Sequence, residues 1–337
     1  MDAHKLESLP PPPGVIGSLR AGFDTVSSHV VLILLPLAVD LFLWLGPRLS
    51  VDGLISPFVK LIFSQARTAV ASSSDLKRFT DFQSAFIELI QHFNLLSLIG
   101  KLQTFPIGIS SLLAQTMPIE TPFGSQDVVQ VTSLSSLIGL AFVLIVAGWI
   151  GGGLYFRWVS GVILGEREAR ISSMRAIIQT LILSVLWSVG SIMLFIPVMF
   201  VLTILTLINP ALASGALFLM LILSFWLIVP LFFTPHGIFV RKQNAFYSVF
   251  TSLRMARFTL PTSGLFVFCA FLLSNGLNYL WSVPPDDSWM TLVGIAGHAF
   301  ITTTLLAASF AYYRDMNVWL QTVFEQLQQK RAPAQQA

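Results

Sequence analysis

Four polar residues, Asp40, Asn275, Asn278 and His298, lie within or beside long apolar runs, and residues of these types can carry ions or protons through a membrane. An acid near the middle of a bilayer costs about 2.5 kcal/mol or more on insertion scales, so Asp40 is expected to face the interior of a helical bundle. Counted at ~1.5 Å per residue from the cytoplasmic edge, Asp40, Asn275 and His298 fall at similar depths. The pattern predicts an intramembrane polar layer that is either an ion or proton relay or a hydrogen-bonded packing element.

Composition places these residues in a membrane protein. The chain of 337 residues is 55% hydrophobic and only 10% charged, whereas an ordinary soluble domain is about 25% charged. The single cysteine, Cys269, excludes an intrachain disulfide, a cysteine zinc site and a cysteine-ligated iron-sulfur cluster. The sequence contains no H-E-x-x-H, G-x-S-x-G or Walker A motif. We therefore expect no enzyme activity, no cofactor and no metal site, and no motif predicts nucleic-acid binding.

Six apolar runs have the length, roughly 20 residues, that a helix needs to cross a bilayer. They cover approximately residues 30–46, 137–156, 181–208, 212–233, 265–281 and 290–312. Lysines and arginines follow the second, fourth and sixth runs, whereas the loops after the third and fifth contain none. The positive-inside rule then predicts a multi-pass protein of the plasma (inner) membrane with both termini in the cytoplasm.

The predicted fold is all-α, a polytopic membrane helical bundle, and the topology divides the chain into five parts. These are a cytoplasmic tail with an interfacial helix (residues 1–29), a first span (30–46), an extracytoplasmic helical insert (47–136), five further spans with basic cytoplasmic loops (137–313), and a cytoplasmic amphipathic helix and tail (314–337).

A short triplet predicts that the spans form three repeated helical hairpins. Ser-Leu-Arg or Ser-Met-Arg ends at Arg20, Arg175 and Arg254, each time in a basic stretch that precedes a span entering from the cytoplasm. The first interval is about twice the second, and the excess nearly equals the insert. Each unit would begin with an amphipathic helix on the membrane surface, where Arg20, Arg175, Arg254 and Arg257 contact anionic lipid headgroups.

The insert carries two apolar stripes at helical spacing. One consists of Leu54, Phe58, Leu61, Ile62 and Ala66, and the other of Phe79, Phe82, Phe86, Leu89, Phe93 and Leu96. We expect the two helices to pair through these stripes or to lie on the outer leaflet, and the insert is also a possible contact for a protein partner.

Two glycine pairs predict close helix packing. Gly148 and Gly152, and then Gly161 and Gly165, are each four residues apart, so they remove side chains from one face of a helix.

Two stretches, residues 151–175 and 231–257, carry a family resemblance. In the first, Gly165 and Glu166 precede a basic amphipathic segment, and in the second Pro235 ends an apolar run before Ala245 and Ser248. These patterns resemble the membrane domain attached to some glycerophosphoryl diester phosphodiesterases, and related bacterial integral membrane proteins of unknown function. The resemblance implies a non-catalytic six-helix membrane unit and supplies no functional residues to carry over.

The sequence thus predicts a non-enzymatic integral membrane protein that organises the membrane or serves as an accessory subunit in contact with lipid or partner proteins. The alternative is a transporter of an ion or a small solute through the layer of Asp40, Asn275 and His298.

Overall fold

The computed structural model describes residues 10–67, 73–101, 106–165 and 171–331. Glu166 of the family resemblance and the ends of both predicted tails lie outside the described residues. The helices are α1 (Val15–Ser28), α2 (Leu34–Leu45), α3 (Asp52–Arg67), α4 (Ser73–His92), α5 (Leu98–Lys101), α6 (Leu113–Thr116), α7 (Leu134–Ile163), α8 (Ser173–Ile208), α9 (Pro210–Phe232), α10 (Thr234–Arg241), α11 (Ala245–Trp281) and α12 (Thr291–Arg331).

Five helical stretches are long and apolar enough to cross a membrane: α7, α8, the stretch Pro210–Arg241 that joins α9 and α10, α11, and α12. A sixth exists if α1 and the following Val30–Leu45 count as one broken span, because the chain bends there by 96° at His29. By length and composition the protein is therefore a multi-pass helical membrane protein with five to six spans.

The predicted insert is helical only in part. Besides α3 to α6 it contains β2 (Glu120–Thr121), β3 (Gly124–Ser125) and β4 (Val128–Gln130), and β4 pairs in parallel with β1 (Arg48–Ser50), while β2 pairs with β3. The β1–β4 ladder joins the two ends of the insert, since residue 48 lies two positions after the first apolar run and residue 130 lies four positions before α7.

The predicted threefold repeat is not confirmed. The triplet lies in a helix separate from its span only in the first unit, because α8 and α11 each run unbroken from the triplet region into the apolar stretch. Ser18 and Ser252 of the triplets are buried, whereas Ser173 is exposed in the first turn of α8, so the three serines occupy different environments.

The C-terminal amphipathic stretch is also not a separate surface helix. It continues α12 without a break, and its apolar face packs on the protein, with Trp319 and Leu320 against a core cluster and Val323 buried. The Trp319 Nε1 donates a hydrogen bond of 2.7 Å to the Pro10 carbonyl.

The chain divides into two compact units. Unit 1 comprises Met1–Leu32, Gly153–Asn275 and Ile301–Ala337, and unit 2 comprises Ile33–Gly152 and Gly276–Phe300. The core of unit 1 is rich in stacked aromatic rings, including Phe233, Phe266 and Tyr312. Unit 2 has two clusters of its own, one around Trp44 and Leu112 and one around Val51 and Ile90.

Candidate functional site

Asp40 caps a short helix from a distant part of the chain. Its side chain is fully buried in α2 of unit 2. Asp40 Oδ1 accepts hydrogen bonds from Ser111 Oγ at 2.5 Å and from the Leu113 amide at 3.1 Å, while Oδ2 accepts from the Leu112 amide at 3.1 Å. The first amides of a helix have no partner within the helix, so α6 requires an acceptor at this end. The Asp40 carboxylate supplies this acceptor, and the three hydrogen-bond donors in turn stabilise its buried charge.

His298 holds Ser110, the residue next to Ser111 in the chain. Its Nδ1 lies 2.8 Å from Asn278 Oδ1 and its Nε2 lies 3.1 Å from Ser110 Oγ. In a neutral ring whose Nδ1 donates to Asn278, Nε2 accepts from the Ser110 hydroxyl. We call Asp40, Ser110, Ser111, Asn278 and His298 the polar clamp, because together they fix both sides of the turn into α6.

The clamp holds residues 106–117, the buried segment, most of which is inaccessible to solvent although its backbone is largely irregular. A Cβ atom at Gly152 of α7 would lie only 2.8 Å from the Cα of Gly108, so the segment touches the helix backbone. Gly152 is about 27 Å along α7 from Leu134 at ~1.5 Å per residue. The segment therefore packs far along a candidate span. That residues 47–136 all lie outside the bilayer stays a prediction, and this packing argues against it for the buried segment.

Three of the four predicted layer residues meet here and one does not. Asp40, Asn278 and His298 belong to the clamp, whereas Asn275 is exposed and donates to the Phe271 carbonyl of its own helix at 2.9 Å. The sequence interpretation missed Ser110 and Ser111. Their signal was a hydroxyl pair directly before the apolar residues that start α6, which is a helix N-terminal pattern.

The clamp geometry is that of a packing element. Both oxygens of Asp40 and both ring nitrogens of His298 already have partners within unit 2. In the described ranges, no three His, Cys, Asp or Glu residues gather closely enough to hold a metal ion. Of the two roles that the sequence left open for the polar layer, these contacts favour the hydrogen-bonded one.

The four predicted packing glycines have different roles. Gly148 and Gly161 are buried, and Gly152 makes the close approach described above, although to an irregular segment and not to a second helix. Gly165 is exposed, with a φ of 82° and nothing within 4 Å of a Cβ built on it. It follows the end of α7 as a left-handed terminating residue, so the prediction of helix packing is wrong at this position.

The four predicted headgroup arginines are all exposed. Arg20 lies 3.7 Å from the Asp24 carboxylate, and Arg175 Nη2 donates to the Lys242 carbonyl at 2.6 Å. That Arg20, Arg175, Arg254 and Arg257 contact lipid headgroups stays a prediction.

Helices α3 and α4 pair through the predicted stripe of α4 but not through that of α3. Phe63 of α3 contacts the rings of Phe79, Phe82 and Phe86, at centroid distances of 5.4 to 6.0 Å. Most of the predicted stripe instead remains exposed, including Phe58 at 64%. We call these exposed apolar residues the hairpin face; they are Phe58, Leu61, Ile62, Phe82, Phe86 and Leu89. The expectation that the two stripes cover each other is therefore wrong for α3, which makes the contact through Phe63 outside its predicted stripe. The residues of α4 that meet Phe63 belong to the predicted stripe.

The loop between α11 and α12 carries a compact acidic group. Trp44 Nε1 donates to the Asp286 carbonyl at 2.8 Å, which fixes the loop on unit 2. Burial raises the pKa of the Asp286 carboxyl, and the charges of Asp287 and Glu120 raise it further.

No protein-family model matches the chain, and no curated protein and no solved structure matches it either. The resemblance to the phosphodiesterase membrane domain therefore stays a prediction.

Proposed function

We propose that this chain is a non-enzymatic, multi-pass protein of the plasma membrane that acts on lipid at the outer membrane surface. The helix pair α3–α4 lies in the outer leaflet and the arginine-rich loops contact anionic headgroups on the cytoplasmic side. One observation carries the proposal, namely the exposed apolar hairpin face on two helices that are not candidate spans, α3 because it has only 16 residues and α4 because it is too polar.

The position of the helix pair on α7 supports a lipid contact. Phe63 and Ile87 share a cluster with Leu137 and Leu144, which lie roughly 5 and 15 Å from the start of α7. Over the same stretch α7 exposes other apolar side chains: Ile138, Phe142 and Val143. The hairpin face thus stands at the height where a candidate span presents apolar side chains, and a large exposed apolar patch marks a membrane or protein contact.

The positions of charged and apolar residues around α3 also suit a membrane interface. In α3, Lys60 is exposed and lies about 160° around the helix from Phe58 and from Ile62, at 3.6 residues per turn. A helix with one apolar exposed face and one charged face lies in the plane of a membrane surface. With the basic loops in the cytoplasm, the surface in question is the outer one.

Spin labels test the proposal directly. In a Cys269→Ser background, we expect a nitroxide at position 58 in liposomes to be more accessible to oxygen than to a water-soluble nickel chelate. A label at position 60, on the polar side of the same helix, is the matched control and is expected to show the opposite preference. Equal access of the nickel chelate to both labels would contradict the proposal.

Transport is a second candidate because Asp40, Asn278 and His298 converge in one unit. Their saturated hydrogen bonds count against it. Uptake of a solute or of protons by vesicles that contain the wild type, lost in Asp40→Asn while the protein stays folded, would favour transport over our proposal.

A further inference from the structure

Arg48 in β1 is a buried cation that forms no ion pair with any residue that the structure describes. The residue is only 8% exposed, and its backbone amide donates to the Asp127 carbonyl at 2.8 Å. The guanidinium nitrogens Nε and Nη1 are buried and have no hydrogen-bond partner within the described ranges. Because a guanidinium stays charged in proteins, it cannot relieve this by losing a proton.

The acids of unit 2 do not serve Arg48. Among the described residues the ion pairs are Arg20–Asp24 and Arg314–Asp315. The pKa of Asp286 is raised first by burial and then by the charges of Asp287 and Glu120, so these three acids repel one another and are not paired with a cation.

The side chain of Gln126 has a buried hydrogen-bond acceptor that lacks a donor. Gln126, one residue before the acceptor of the Arg48 amide, is also 8% exposed. Its Nε2 donates to the carbonyls of Leu43 at 2.8 Å and Trp44 at 2.6 Å, while its Oε1 is buried without a donor. Arg48 thus has donors that lack an acceptor, and Gln126, two residues before β4, has an acceptor that lacks a donor.

We propose that Arg48 is the cationic end of an anion-binding site that takes a phosphate group, with Gln126 accepting from a hydroxyl or ammonium group of the same ligand. Arginine is well suited to phosphate because its N–H groups are fixed in a plane and always charged. The inference rests on Arg48 and is independent of the lipid contact proposed for the hairpin face.

Thermal unfolding in a phosphate-free sugar detergent tests the site. We expect the unfolding midpoint of the wild type to rise with added inorganic phosphate, short-chain phosphatidylglycerol, or both, because a ligand that binds the folded state stabilises it. A short-chain glycolipid without phosphate should have no such effect. Arg48→Gln should weaken the response about tenfold or more, since it removes charged hydrogen bonds. Arg67→Gln, the same charge change at an exposed position of unit 2, should leave it intact.

The arms of the experiment identify the source of the phosphate. A response to both compounds indicates a site for free phosphate, and a response to the lipid alone indicates a headgroup site. No response of the wild type to either compound, or an equal response of Arg48→Gln, would overturn the inference. Should Arg48→Gln not fold, Arg48→Lys keeps the charge but fewer donors, and an unchanged response of that variant would also overturn it.

Discussion

Units 1 and 2 each contain an interruption of helical structure among apolar helices. In unit 1 side chains donate hydrogen bonds to the backbone at this point, whereas in unit 2 a side chain accepts them. In unit 1, hydroxyl groups donate hydrogen bonds to backbone carbonyls on either side of the break between α9 and α10. Ser248 Oγ donates to the Thr234 carbonyl at 2.5 Å, and Ser252 Oγ donates to the Pro230 carbonyl. In unit 2 the start of α6 leaves amides, and the carboxylate of Asp40 accepts from them. Backbone carbonyls at a helix break can be satisfied by neutral hydroxyl donors, whereas backbone amides at a helix start can be satisfied by a buried carboxylate.

The largest expected effect comes from removing the charged partner. Asp40→Ala leaves two amides and a hydroxyl buried without an acceptor, and we expect it to lower the free energy of unfolding by about 3 kcal/mol or more. Ser248→Ala in unit 1 is the comparison and should cost about 1 kcal/mol. Chemical unfolding of both variants in the same detergent measures the difference. Equal losses would show that the two units do not differ as described.

A smaller effect is expected where the buried segment meets α7. Gly152→Ala places a Cβ 2.8 Å from the Gly108 Cα and should destabilise the fold by about 1–3 kcal/mol through overpacking. Gly139→Ala is the control on the same helix, where nothing lies within 4 Å, and should stabilise it by about 0.5–1 kcal/mol. Unfolding midpoints that move in the same direction for both variants would contradict the close approach.

The smallest effect concerns pH. Because the folded pKa of Asp286 is raised above its usual 3.8, the ionised carboxylate destabilises the folded state. Asp286→Asn should therefore be more stable than the wild type at neutral pH, and the advantage should disappear as the pH falls below 3.8. Unfolding midpoints across this range test the sign. An advantage that grows in acid would contradict it.

The sequence predicted the spans well because their apolar runs are long, and all five long helical stretches coincide with predicted runs. It also predicted that Asp40 faces inward, since the cost of an exposed acid in a membrane leaves no other choice. It did not predict the partners, because Ser111 lies far from Asp40 along the chain and no periodicity links them. For α3, the pattern contains two apolar directions, and spacing alone cannot show that Phe63 packs while Phe58 is exposed.

Labelling of the buried segment tests the polar clamp most directly. In a Cys269→Ser background, a cysteine at position 109, where Ile109 is buried, should resist a water-soluble maleimide added from either side of the membrane. A cysteine at position 123, where Phe123 is exposed, should react readily. Adding Asp40→Ala should make position 109 reactive. Labelling of position 109 as fast as position 123 in the protein with Asp40 intact would contradict the account.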